Sequence, residues 1–230
     1  MRAAQTRCKL RPMTLGDIPQ VMDIERESFP TMWPQTTYRK ELKNKLARYL
    51  VAYEPTSEAP APLREGAAPL QRHAGLSGLL RRLFRPAPAT QERILGVVGL
   101  WCMMGEGHIV TIAVREAYRR QGIGELLVVA IIDAAQEAGQ DGVTLEYRIS
   151  NSGARKLYEK YGFTQVGVRA RYYSDNQEDA VLMSTPPLRS SKFRKLLSKR
   201  LAEQRARWGD EYPLAGAAAK LADAPAARQP

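Results

Sequence analysis

The sequence predicts an α/β (α+β) domain whose central sheet is mixed, mostly antiparallel, flanked by helices and built around one parallel pair of strands. Two apolar, β-branched runs, 94–103 and 109–114, flank a glycine-containing turn, which is typical of an antiparallel hairpin. A helix-length apolar segment connects the second run to a third, 142–149, so these two strands should be parallel with a right-handed crossover. Residues 163–173 and 179–184 predict a closing hairpin.

The N-terminal part predicts a short strand followed by a helix. Residues 9–12 form the strand. Thr14 and Asp17 have the spacing of a capping box, and apolar residues at helical spacing follow them. The helix should stop at Phe29, because the residue before a proline is disfavoured in helical conformation.

A second helix and a strand come next, before the pattern breaks. The helix is predicted from Pro34 to about Leu46, and the strand over 49–53. Residues 55–93 are rich in proline, alanine, glycine and arginine, which predicts a flexible insertion. Leucines and arginines at helical spacing within 76–85 could form a short basic amphipathic helix there.

A short basic glycine loop, 119–124, separates the strand 109–114 from a long apolar segment, 126–138, which predicts a helix. Amide N–H groups at a helix N-terminus bind anions, and glycines let the backbone approach closely, so this order predicts a phosphate cradle. The spacing fits neither a P-loop nor the three-glycine dinucleotide fingerprint. A strand–turn–helix without a ligand is the simpler alternative.

The rest of the chain completes the domain and adds a tail. Asn151 can cap a helix that ends at Gly162, ahead of the closing hairpin. The predicted domain covers 9–187, interrupted by the insertion at 55–93. The tail, 188–230, is basic, with a stretch of helical spacing followed by an alanine- and proline-rich end that predicts disorder.

The formal net charge of +11 is concentrated in the insertion and the tail. Residues 55–93 carry +3 and residues 188–230 carry +6, which favours polyanionic neighbours such as RNA, although a solvated tail without a partner explains it equally well. Cys8 and Cys102 have no disulfide or zinc-site spacing, which suits a reducing cytoplasm. No apolar run approaches the ~20 residues of a membrane span, and Met1–Arg11 lacks the apolar region of a secretory signal.

Four motifs in this order resemble the GNAT superfamily of N-acetyltransferases, and more narrowly the bacterial ribosomal-protein-alanine N-acetyltransferases. The resemblance covers residues 9–54 and 94–186. The motifs are Phe29-Pro30-x-x-Trp33; Arg119-x-x-Gly122-x-Gly124; Leu145–Asn151 with Ala154–Phe163; and Arg171–Tyr173 with Glu178–Met183.

The resemblance implies a GNAT fold and acetyl-CoA as the phosphate ligand, without a metal. In this fold the strand before the loop pairs with the pantetheine arm, the loop holds the pyrophosphate, and an asparagine at the start of the next helix contacts CoA. The matching cofactor-binding residues are Ile112, Ala113, Val114, Arg119, Arg120, Gln121, Gly122, Ile123, Gly124 and Asn151.

The resemblance also implies two catalytic residues, Glu146 as the base and Tyr158 as the acid. Without it, Glu146 reads as a solvent-facing strand residue and Tyr158 as a core aromatic. His108 has no convincing partner in the sequence and reads as structural or exposed. The residues that match the family's peptide entrance are Phe29, Trp33, Tyr172 and Tyr173.

The function expected from this resemblance is transfer of acetyl from acetyl-CoA to the α-amine of an N-terminal alanine of a ribosomal protein. Attack would be direct, in a ternary complex in the cytoplasm. One alternative is acetylation of a lysine side chain or a small-molecule amine. Another is a non-catalytic module that contacts the ribosome or RNA through the basic tail.

Overall fold

The computed structural model describes residues 8–29, 37–55 and 92–209. Most of the insertion, with its predicted amphipathic helix, and the end of the tail lie outside these ranges. The elements within them are β1 (Lys9–Pro12), α1 (Ile18–Ser28), α2 (Tyr38–Glu41), β2 (Ala47–Glu54), β3 (Arg93–Met103), β4 (Glu106–Val114), α3 (Ile123–Glu137), β5 (Gly142–Arg148), α4 (Ser152–Lys160), β6 (Thr164–Tyr173), β7 (Glu178–Ser184) and α5 (Ser191–Trp208).

The strands form one seven-stranded sheet in the order β1-β2-β3-β4-β5-β7-β6. Strands β4 and β5 run parallel, and every other neighbouring pair is antiparallel. The β3–β4 hairpin turns at Met104 and Gly105, whose φ values of 51° and 83° suit a tight two-residue turn, so β4 starts earlier than the sequence pattern predicts. The mixed sheet predicted from the sequence is confirmed.

The helix predicted from Pro34 to about Leu46 is much shorter in the structure. Pro34 lies outside the described residues, and α2 ends at Glu41. The Asn44 side chain accepts a hydrogen bond from the Leu46 N–H at 3.0 Å, and its carbonyl accepts one from the Ala47 N–H. An asparagine that bonds to nearby backbone competes with the helix, and here it turns the chain into β2.

Two hydrophobic cores lie on opposite faces of the sheet. One packs α1 and α2 around Val21, Ile24 and Tyr38. The larger core packs α3, α4 and α5 against the other face, with the α3 side chains from Leu126 to Ile132 almost fully buried. Residues 126–132 of this helix are all apolar, as expected where the sheet and the other helices of this core cover a helix from several sides.

Helix α5 belongs to this larger core. Its buried side chains recur at helical spacing and include Phe193, Leu197, Leu201 and Trp208. Ser190 caps the N-terminus of the helix, because its hydroxyl accepts a hydrogen bond from the Phe193 N–H at 3.3 Å. The first part of the basic tail is therefore packed against the domain. No helix in the described part of the chain has the length and apolar character to cross a membrane.

Candidate active site

The parallel strands β4 and β5 separate partway along their length. Their pairing runs from Glu106–Gly142 to Ile109–Leu145 and then stops, although β4 continues to Val114 and β5 to Arg148. The β3–β4 register also shifts at this point, because Leu100 pairs with Ile109 while Gly99 pairs with Thr111. This leaves Val110 as an extra residue, a β-bulge that bends β4 away from β5. The result is a wedge-shaped opening in the sheet.

The predicted pantetheine-binding residues lie along this opening. Ile112, Ala113 and Val114 follow the bulge on the part of β4 that does not pair with β5. One edge of this segment bonds to β3, and the other edge presents backbone groups to the opening. An extended ligand can bind such an edge as an added strand.

The loop that follows has the backbone of an anion cradle. Arg120 and Gly122 adopt φ values of 64° and 94°, so residues of opposite handedness alternate along the chain. Such an alternation turns successive N–H groups towards one concavity. Gly122 caps α3 without a side-chain hydrogen bond, and Ile123 and Gly124 begin its first turn. The free N–H groups of that turn are available to an anion.

The polar side chains of the loop have different roles in the structure. The Arg119 guanidinium donates to the Val114 carbonyl at 3.1 Å and to the Ser28 hydroxyl at 3.2 Å, so it ties the loop to β4 and α1. The Gln121 amide donates to the Ala117 carbonyl at 3.2 Å. The Arg120 side chain is exposed.

The predicted CoA-contacting asparagine begins α4. The Asn151 Oδ1 accepts a hydrogen bond from the Ala154 N–H at 3.0 Å and so caps the helix. Glu178 on β7 accepts a hydrogen bond from the Ser150 N–H at 2.7 Å. Hydrogen bonds from Ser150 hold the pKa of the Glu178 carboxyl down at about 2. The Glu178 carboxylate thus fixes the start of α4 against the closing hairpin.

The Glu146 carboxylate is held on both oxygens. One oxygen lies 2.9 Å from Nε2 of His108, and the other lies 3.1 Å from the Arg169 guanidinium. The side chain is only 9% exposed. The other ring nitrogen of His108 lies 3.0 Å from the Thr144 hydroxyl. Glu146 is therefore an anchored, largely buried carboxylate.

The expectation that His108 has no convincing partner is wrong, because the structure places it against Glu146. His108 lies within β4, and the parallel register places it beside Thr144, two residues before Glu146 on the same face of β5. The sequence predicts that β4 and β5 are parallel neighbours, but the contact between His108 and Glu146 also depends on the register of the two strands, which the sequence does not give. Arg169 was also missed, since it comes from the distant strand β6.

Tyr158 lies on the other face of the sheet. Its ring packs between Tyr147, at 5.8 Å between centroids, and Phe163, at 5.7 Å. Leu145 and Tyr147 on β5 face the same core, so the intervening Glu146 points to the opposite face. Burial raises the pKa of the Tyr158 hydroxyl above its usual value. The two predicted catalytic residues thus lie on opposite faces of the sheet.

The predicted entrance residues lie partly within the described chain. Tyr172 and Tyr173 form an edge-to-face pair at 5.3 Å between centroids, and the Arg148 guanidinium lies 3.8 Å from the centroid of the Tyr173 ring. Phe29 follows the end of α1 and is exposed. Trp33 lies outside the described residues.

A partly buried carboxylate, which sequence reasoning missed, joins α1 to β4. Glu25 accepts hydrogen bonds from the Tyr38 hydroxyl and, at 3.4 Å, from the Thr111 hydroxyl. Burial raises the pKa of the Glu25 carboxyl. Thr111 immediately follows the β4 bulge, so Glu25 braces the strand where it bends. Within 8–29, 37–55 and 92–209 no group of His, Cys, Asp and Glu side chains could hold a metal ion.

Comparison with known proteins identifies acetyltransferases as relatives of this chain. The family model described as "Acetyltransferase (GNAT) domain" matches residues 89–165. A Bacillus subtilis (strain 168) protein, provisionally named a ribosomal protein bS18-alanine N-acetyltransferase, is 30% identical over 180 residues, covering 78% of this chain and 95% of that protein. An N-alpha-acetyltransferase of Sulfurisphaera tokodaii is 34% identical over 179 residues, covering 77% of this chain and 92% of that protein.

The fold is shared with solved structures as well. The crystal structure of the ribosomal-protein-S18-alanine N-acetyltransferase from Escherichia coli aligns with a TM-score of 0.57 and 21% identity, covering 78% of this chain and 94% of that chain. This likeness confirms the predicted fold class.

Proposed function

Since this chain belongs to the GNAT family of N-acetyltransferases and takes its acetyl group from acetyl-CoA, we propose that it acetylates the α-amine of an N-terminal alanine on a ribosomal protein. Relatives named for protein N-terminal acetylation support the acceptor class, because they align over nearly their whole length. The observation in the structure that carries the chemistry is the anchored Glu146 carboxylate beside the opening between β4 and β5.

The reaction requires the acceptor nitrogen to be neutral when it attacks the thioester carbonyl. An N-terminal α-amine has a reference pKa near 8, against about 10.4 for lysine. At pH 7.5 roughly a quarter of α-amines are already neutral, against about one lysine side chain in a thousand. An α-amine therefore demands less of a carboxylate base such as Glu146 than a lysine side chain does.

In the proposed step the amine nitrogen forms a bond to the acetyl carbon in a ternary complex, and the carbon–sulfur bond then breaks. Glu146, directly or through a water molecule, accepts the proton that the nitrogen loses. Tyr158 donates to the departing sulfur, so the products are the acetylated N-terminus and CoA with a free thiol. A backbone N–H on the free edge of β4 would stabilise the negative charge that develops on the carbonyl oxygen.

Replacing Tyr158 with Phe should lower kcat by about 10²-fold while the KM for acetyl-CoA changes little. The change keeps the ring that packs against Tyr147 and Phe163, and removes only the hydroxyl. Steady-state kinetics with an Ala-starting peptide measures the effect. Tyr53→Phe on β2 is the matched control, because it removes a hydroxyl far from the opening. Wild-type turnover by Tyr158→Phe would exclude the hydroxyl as the acid.

The acceptor class is tested with a short peptide that begins with alanine and contains one internal lysine. We expect acetylation at the α-amine alone, because the lysine amine is almost fully protonated near neutral pH. The same peptide with a blocked N-terminus should not react, and mass spectrometry locates the added acetyl group. Acetylation of the blocked peptide at lysine would instead support a side-chain or small-amine acetyltransferase.

The natural substrate can be identified by mass spectrometry, which compares the acetylation of protein N-termini in cells with and without this protein. A ribosomal protein that loses its N-terminal acetyl group in the deletion strain would be the acceptor, and the cytoplasm would then be the site of action.

Exposed cations on α5 offer a surface for ribosome or RNA contact, namely Lys192, Arg194, Lys195 and Lys199. Because α5 is part of the core, that contact is tested by charge substitution and not by truncation.

A further inference from the structure

The C-terminal end of α5 lies against the glycine loop. A Cβ atom placed on Gly122 would lie 3.1 Å from Cζ and 3.2 Å from Nη1 of Arg207. Trp208, which is 5% exposed, and Leu201, which is fully buried, fix this end of the helix in the larger core. The position of the guanidinium beside the loop is therefore set by the packing of the whole helix.

The charge pattern of the loop explains why a cation is needed there. Glu125 lies in the first turn of α3, where a carboxylate opposes the binding of an anion. Its oxygens contact the Lys160 ammonium at 2.6 Å, the Tyr161 hydroxyl at 2.8 Å and Nη1 of Arg207 at 3.9 Å. Arg207 approaches the carboxylate less closely than Lys160 does, and its side chain is 48% exposed.

The family motif supplies fewer phosphate-facing cations than its sequence indicates. Both loop arginines are exposed, but the Arg119 guanidinium is hydrogen-bonded to β4 and α1, so Arg120 is the loop cation that remains open to a phosphate. The pyrophosphate of CoA carries two negative charges, and the 3′-phosphate adds about two more. A second guanidinium at the loop would match this charge, and Arg207 is placed to supply it.

We propose that Arg207 binds a phosphate group of acetyl-CoA, so that helix α5 completes the donor site. This rests on the assignment of residues 119–124 to the CoA phosphates. The basic tail is then not an appendage to the enzyme, because its first helix brings a cation to the cofactor from a segment outside the family motifs.

The test measures CoA binding to the full-length protein by calorimetry. Arg207→Ala should weaken CoA binding about tenfold, and Arg207→Lys should recover part of the loss. Arg194→Ala is the matched control, because it removes an exposed arginine from the opposite end of the same helix. Measurable CoA binding by the wild type, without any peptide, tests the donor site separately from the proposed acceptor.

Two comparisons distinguish a phosphate contact from a structural role. Arg207→Ala should leave kcat/KM for acetyl-pantetheine, which lacks the pyrophosphate and the 3′-phosphate, unchanged. If the loss disappears with dephospho-CoA, the contact is to the 3′-phosphate, and if it persists, the contact is to the pyrophosphate. Either result supports the proposal.

Three results would overturn it. The first is wild-type CoA affinity in Arg207→Ala, and the second is an equal loss in Arg194→Ala, which would indicate only general electrostatics. The third comes from the Glu125→Gln background. If Arg207→Ala has no effect there, the arginine acts only by neutralising Glu125.

Discussion

Replacing Glu146 with Gln is expected to lower kcat by roughly 10²- to 10⁴-fold while leaving the dissociation constant for acetyl-CoA nearly unchanged. The amide has almost the same shape as the carboxylate but cannot accept the proton from the attacking amine. In the proposed arrangement the donor is held by the loop and on the Tyr158 side of the sheet, so its binding should not depend on this charge. Stopped-flow or steady-state kinetics with an Ala-starting peptide, together with calorimetry for CoA, measures both quantities.

The matched control is Glu106→Gln, an identical change on an exposed residue of β4. It should retain wild-type turnover. The Glu146 variant also loses its ion pairs with His108 and Arg169, so circular dichroism and thermal unfolding must show that it remains folded. A folded Glu146→Gln enzyme with wild-type kcat would exclude this carboxylate as the base.

Replacing Phe193 with Ala is expected to destabilise the protein by about 3–5 kcal/mol. The ring is 1% exposed, and a Cβ placed on Gly162 would lie 3.2 Å from its edge, so the site is tightly packed. Removing the ring opens a cavity between α5 and the end of α4. Urea unfolding followed by circular dichroism measures the change in the free energy of unfolding.

Lys192→Ala is the control, because this neighbouring side chain is exposed and the change should alter stability by less than about 0.5 kcal/mol. If Phe193→Ala and Lys192→Ala had similar unfolding free energies, α5 would not be an integral part of the domain. The size of the difference therefore measures how far the domain extends into the basic tail.

The strands, their directions and the glycine loop could be predicted because each depends on a local pattern. Alternating apolar residues, a tight turn and a helix-length connection are enough to place β3, β4 and β5. The contact between His108 and Glu146 depends on the register between two strands joined by a helix, which no local pattern fixes.

The packing of α5 against the larger core could not be predicted from the sequence, for a different reason. Helical spacing at Phe193, Leu197 and Leu201 predicts an apolar face, but it does not say which surface covers that face. Its basic composition favoured an exposed tail, although the cations and the apolar residues lie on different sides of the helix. The early end of α2 goes with a hydrogen bond that the Asn44 side chain accepts from the Leu46 N–H, which helix propensity alone does not predict.

The opening between β4 and β5 has a consequence for the order in which the two substrates bind and the two products leave. Glu146 lies towards one face of the sheet and Tyr158 towards the other, with the reacting bond expected between them. The nucleotide part of the donor and the polypeptide part of the acceptor would then occupy separate entrances. Neither product would have to leave before the other, and the acetylated polypeptide could leave while CoA is still bound.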